Sequence, residues 1–133
     1  MQSIQKQAGL SSLAWLSIII VAVFMGLFLF KVGGAYIDNA FVVSSLKKLG
    51  KSEDVNQLSP SKIKANILSQ FTIDGVNDKD IRGAIKISKT SKGKLITINY
   101  EKRTSFFRNI YLVVSFENEL DTAKPDECCS PAK

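Results

Sequence analysis

Residues Leu13 to Phe30 read LAWLSIIIVAVFMGLFLF, and the charge-free run that contains them begins at Gln7. Those 24 uncharged residues, wound as a helix, extend about 36 Å, against a hydrocarbon core of about 30 Å. Lys6 and Lys31 bracket the run, where their ammonium groups reach the two interfaces along apolar stems. The stretch predicts a single transmembrane helix. A cleaved signal peptide is the competing reading, with Gly33-Gly34-Ala35 as its small-residue cleavage site, but its apolar region is typically about 7–15 residues. A buried core helix is a third reading, disfavoured because the remaining domain could hardly surround it. The positive charges close to the two ends nearly balance, so charge alone does not orient the helix.

Beyond Lys31 the apolar spacing stays helical through Tyr36, Ile37, Ala40, Phe41 and Leu46 to Leu49, with Asp38, Asn39, Lys47 and Lys48 on the other side. Gly33-Gly34 predicts a kink and Gly50 a C-cap, so one helix from about Leu10 to Leu49 first spans and then turns amphipathic. Ser59 caps a second helix of about ten residues, with Pro60 in its first turn and Ile63, Ile67, Leu68 and Phe71 on one face. Asp74-Gly75 ends it. Strand alternation follows: Ile85 and Ile87, then Ile96, Ile98 and Tyr100, then Ile110, Leu112, Val114 and Phe116. The expected fold is α+β: a long N-terminal helix, a short second helix, and a three-stranded antiparallel meander. The expected segments are a basic leader (1–7), a transmembrane helix (8–30), its extension (31–49), a small α+β domain outside the membrane (50–120), and a disordered acidic tail (121–133).

The formal net charge of +6 is unevenly spread. Residues 79–108 carry seven net positive charges, whereas the chain from Glu117 onward carries three net negative ones. Such asymmetry suggests an anionic partner surface or self-association through opposite charges, beside the plainer reading of a solvated strand face. Lys86, Lys94, Lys102, Arg103 and Arg108 are the candidate interaction surface, and Lys86, Lys94 and Arg108 are the three expected to be fully solvated. The chain has no histidine, which removes Ser-His-Asp and Cys-His catalysis and imidazole metal sites. Gly-rich phosphate loops, paired metal carboxylates and nucleophile elbows are likewise not found, and Asp78 and Asp80 read as turn residues. Ser–Lys pairs are many, but none stands out as a catalytic dyad. Neither catalytic residues nor a cofactor or metal are expected, and nucleic acid is not an expected partner because the aromatics sit in core-facing positions. Cys128 and Cys129 lack Cys-x-x-Cys spacing, and their adjacency prevents them from stapling distant parts of the chain, so free or intermolecularly paired thiols are expected.

The order of elements resembles the plan of bacterial type IV pilins: Lys6-Gln7-Ala8-Gly9, an apolar helix running into an amphipathic one, then a helix and a sheet. Pilins place a glutamate five residues after the cleavage glycine, and Ala14 stands there in this chain. A closer resemblance is to a small Gram-negative membrane family, domain-of-unknown-function family 4845. It rests on Met1-Gln2-Ser3-Ile4 with Lys6 and Gly9, Leu58-Ser59-Pro60, Ile98 to Arg103 (INYEKR) and Phe107 to Phe116 (FRNIYLVVSF). This resemblance implies a single-pass inner-membrane protein, and the pilin-like plan implies a cytoplasmic N-terminus and a periplasmic domain. It also implies, by gene association only, a place near type I signal peptidase and protein export. The expected partners are membrane lipids and an envelope protein or a second copy. A pilin-like subunit or assembly accessory is the alternative, and a Ser-Lys enzyme is a more remote one. The resemblance further implies that Gly9-Leu10 is left uncut, because Ala14 replaces the glutamate.

Overall fold

A computed structural model describes residues 11–129 of the chain. The leader residues 1–7 with Lys6, the Gly9-Leu10 bond and residues 130–133 lie outside the described residues. Helix α1 (Ser12–Gly50) is 39 residues long. Ser11 starts it, its hydroxyl accepting from the Ala14 N–H at 3.3 Å, and the helix runs without interruption through Gly33-Gly34. Gly50 closes it as the last helical residue and Lys51 is the cap.

The two halves of α1 differ in what they meet. The most apolar window has a mean hydropathy of 2.7, and none of it is buried inside the molecule. A core helix would be covered. α1 is therefore the one helix among the described residues that is long and apolar enough to cross a membrane. In its C-terminal half Ala35, Val42, Leu46 and Leu49 turn inward onto the domain.

Helix α2 (Pro60–Ile73) starts where the Ser-Pro signal placed it, Ser59 accepting from the Lys62 N–H, and it buries Ile63, Ile67 and Phe71. A short helix α3 (Lys79–Gly83) follows, with Asp78 accepting from the Asp80 N–H as its cap. Strands β1 (Ile85–Lys89), β2 (Lys94–Phe107) and β3 (Ile110–Asp121) form an antiparallel sheet in sequence order. The α+β architecture is as expected. The core lies between the inner sheet face (Ile85, Ile96, Ile98, Tyr100, Phe116, Leu120) and α1, α2 and α3.

Three elements depart from the sequence reading, the first being α3, which stands where Asp78 and Asp80 were read as turn residues. β2 and β3 run on as a two-stranded ribbon well past the end of β1, pairing from Leu95 with Asp121 to Phe107 with Ile110. The segment after Leu120, read as a loose tail, folds back on the domain as far as Cys129. Thr122 is buried, residues Pro125–Glu127 make a 3-10 turn, and the Cys129 N–H donates to the Glu119 carbonyl at 2.8 Å. Cys128 and Cys129 are joined to each other in a vicinal disulfide rather than left as free or intermolecular thiols. The Cys129 Sγ lies 3.8 Å from the Val43 carbonyl oxygen of α1. The half-buried pair packed against the core and the buried Thr122 hold this segment, and composition alone hid them.

Candidate functional site

The five basic residues read as one surface do not assemble. β-strand alternation divides them. Lys94 and Lys102 share the inward phase of Ile96, Ile98 and Tyr100, whereas Lys86 and Arg103 take the outer face and Arg108 sits at the hairpin tip. Lys94 is only 8% exposed, which corrects the expectation that it is solvated. Its ammonium donates to the carbonyls of Val55 at 3.3 Å, Asn56 at 3.0 Å and Leu58, pinning the loop between α1 and α2. Its backbone N–H donates to Thr122 Oγ1 at 2.8 Å, and that hydroxyl donates to Asn56 Oδ1 at 2.7 Å.

The outer face is not basic either. Antiparallel pairing returns the acidic part of the chain alongside the basic part. Glu119 pairs with Thr97, which pairs with Lys86 on its other side, and Glu117 and Asp121 lie opposite Asn99 and Leu95. With Glu101 also outward, Lys86 and Arg103 are outnumbered by carboxylates, so sequence asymmetry becomes spatial mixing.

Lys102 instead joins three elements. Its ammonium lies against the Asp78 carboxylate at the start of α3 and 3.3 Å from Asp38 of α1. Burial alone would raise the Asp78 pKa, but the Lys102 hydrogen bond, the Asp80 and Ile81 N–H groups and the Lys102 charge together hold it below the usual carboxylate value. The Asp78 hydrogen bond raises the Lys102 pKa against the opposing effect of burial, with Asp38 adding to the rise. Beside them Asn39 Oδ1 accepts from Asn118 Nδ2 at 2.8 Å and from Tyr100 Oη at 3.2 Å. Burial, then the charges of Asp38 and Asp78, push the Tyr100 phenol up. These groups form a polar clamp that fixes the sheet to α1 just beyond the apolar run.

Below the clamp the β2–β3 ribbon runs down along α1. The Lys31 ammonium donates to the Ser105 carbonyl. Phe106 meets Phe24 and Phe28 edge-on, with ring centroids 5.2 and 6.1 Å apart. Helix and ribbon enclose an apolar groove of about 810 Å³, lined by Ile19, Val23, Leu27, Phe107 and Ile110 among others. Sequence reasoning missed this juxtaposition, because nothing in the 104–109 segment announces that it continues a strand.

No group of three or more His, Cys, Asp or Glu side chains able to hold a metal occurs among the described residues. No curated protein and no solved structure matches the chain. A family described as Domain of unknown function (DUF4845) matches residues 31–116, which takes in the clamp except Asn118, the ribbon tip and most of the core. The chain belongs to domain-of-unknown-function family 4845.

Proposed function

We propose that this protein is a non-enzymatic single-span protein of the bacterial inner membrane. Its N-terminus is cytoplasmic, and its periplasmic domain binds another envelope protein or a second copy of itself. The observation that carries this reading is an apolar strip on α1 that the domain leaves open. Ile37 is 58% and Phe41 37% exposed, with Ala40 and Ser44 beside them at helical spacing. On an α-helix Ile37 and Phe41 stand about 9 and 15 Å beyond Lys31, above the level that acyl chains cover. Apolar surface that neither lipid nor the domain covers marks a protein contact. Lys47, Lys48 and Lys51 continue from the strip, which favours a partner with an apolar face and acidic residues next to it. The gene association that the family resemblance implies makes the export machinery the first place to look.

A pilin-like subunit is the second reading. The unbroken helix that carries its domain on the C-terminal half favours it, and Ala14 in place of the pilin glutamate weighs against it. Photo-crosslinkers at Ile37 and Phe41 in living cells, with mass spectrometry of the adducts, separate the readings. One discrete envelope protein, or a dimer of this chain, is the expected product. Pilus components would favour the second reading. Lipid adducts alone at both positions would contradict both.

A further inference from the structure

We infer that the tip of the β2–β3 hairpin, residues 106–111, is a second membrane contact that inserts into the leaflet and takes phospholipid acyl chains and headgroup phosphate. The inference rests on the single-span reading of α1. The molecule's own helix supplies the depth gauge. Lys31 marks the end of the apolar run, and its ammonium holds the Ser105 carbonyl at that level. Phe106 then packs on Phe24 and Phe28, and Phe24 lies about 10 Å below Lys31 along a helix, within a leaflet about 15 Å thick. If α1 spans, whatever touches Phe24 is inside the bilayer.

The side chains fit that place. Phe107 and Ile110 are 67% and 57% exposed, and Tyr111 is also exposed, on a tip with no neighbour but α1. Phe and Ile suit acyl chains, and Tyr111, paired with Ser105 at the Lys31 level, suits the interface where tyrosine concentrates. Arg108, at φ +25° in the turn, carries a stem long enough to bring its guanidinium up to the phosphates. The open edges of a two-stranded ribbon limit the depth, since unpaired N–H and C=O groups are costly in hydrocarbon. Only the turn and its flanking residues pass below Lys31, to about 10 Å where Phe106 meets Phe24, so the unpaired groups that enter the leaflet are confined to that short tip. The groove between ribbon and helix runs from Lys31 down to Ile19, about 18 Å below it along the helix, and is apolar throughout its lining except for Lys31.

The test uses the full-length chain in phosphatidylethanolamine–phosphatidylglycerol vesicles, with tryptophan fluorescence quenched by lipids brominated on their acyl chains. In the native sequence Trp15 is the sole tryptophan and reports on the span. In a Trp15→Phe background, Phe107→Trp reports on the tip and Lys92→Trp on the far β1–β2 turn. Ile110→Trp serves in its place if Phe107→Trp loses native circular dichroism. Strong quenching of Trp15 and of the tip, several-fold above that of the Lys92→Trp variant, is expected. Quenching of Trp15 with a tip that stays open to aqueous acrylamide would overturn the inference and leave the span intact. A tip shielded from both quenchers in a crosslinkable dimer would overturn it in favour of a second copy. An unquenched Trp15 would remove the span and the inference together.

Discussion

Lys94 and Lys86 are both lysines in the basic stretch, yet they do opposite work. The strand phase that makes Ile96, Ile98 and Tyr100 inward also points Lys94 inward, so its burial was legible in the sequence. Charge composition spoke louder than phase and concealed it. What the sequence could not supply was the set of carbonyls from residues 55–58 that makes the burial affordable. Lys94→Met should destabilise the domain by about 1–3 kcal/mol, because those carbonyls lose a charged donor. Lys86→Met on the exposed face should stay within about 0.5 kcal/mol, as read by thermal or denaturant melting in detergent. Lys102 gives a pH signature. The lowered Asp78 pKa contributes stability that is present above the ordinary value of 3.8 and is lost as pH falls through the folded value. The raised Lys102 pKa contributes stability that is present below 10.5 and is lost only as pH rises through the folded value. The melting temperature should therefore be flat from about pH 5 to 9 and fall at both extremes. Lys102→Met should lower the plateau and make the acid limb less steep, since Asp78 then keeps only the Asp80 and Ile81 N–H groups that lower its pKa. An acid limb of unchanged steepness would mean that other carboxylates govern it.

At the level of elements, local signals did best where they were self-contained. The Ser59-Pro60 start, the β1 alternation and the turn before Lys94 all stand where the residues put them. The reach of β2 and β3 was not readable, because Lys102 and Thr104 are polar at inward positions. They face Asp38, Asp78 and the helix rather than a greasy core, and that pairing is known only once α1 lies alongside. The fold-back of residues 121–129 was hidden for the same reason: beyond its neighbour β3, its contacts are with α1, Asn56 and Lys94, far away in sequence. Gly93 shows how close that fold-back comes. A Cβ added there would sit 2.5 Å from Thr122 Oγ1, the hydroxyl that links Lys94 to Asn56. Gly93→Ala should thus cost about 1–3 kcal/mol by forcing the segment away. Gly83→Ala, in a helix where the added carbon meets nothing, should be neutral or stabilise by up to about 1 kcal/mol. Equal melting temperatures for the two variants would show that residues 121–129 do not press on the β1–β2 turn.

Taken whole, the molecule is one long helix with its domain clamped to the C-terminal half and its ribbon laid along the apolar half. The Asp38–Lys102–Asp78 and Asn39–Tyr100–Asn118 contacts hold that arrangement about 10–12 Å beyond Lys31, where the apolar run ends. The family match over residues 31–116 carries no activity, so activity has to be sought in what the helix and ribbon leave exposed. Every functional proposal made for this chain requires that α1 cross the membrane, and the proposed envelope partner requires that it deliver the domain to the far side. The most direct measurement is a pair of fusions after Lys133, one to alkaline phosphatase and one to a fluorescent protein that matures only in the cytoplasm. Placing them beyond Cys129 spares the segment that packs on α1. An N-in, C-out span predicts an active phosphatase and a dark fluorescent protein, both in the inner-membrane fraction. Bright fluorescence with inactive phosphatase would contradict the account.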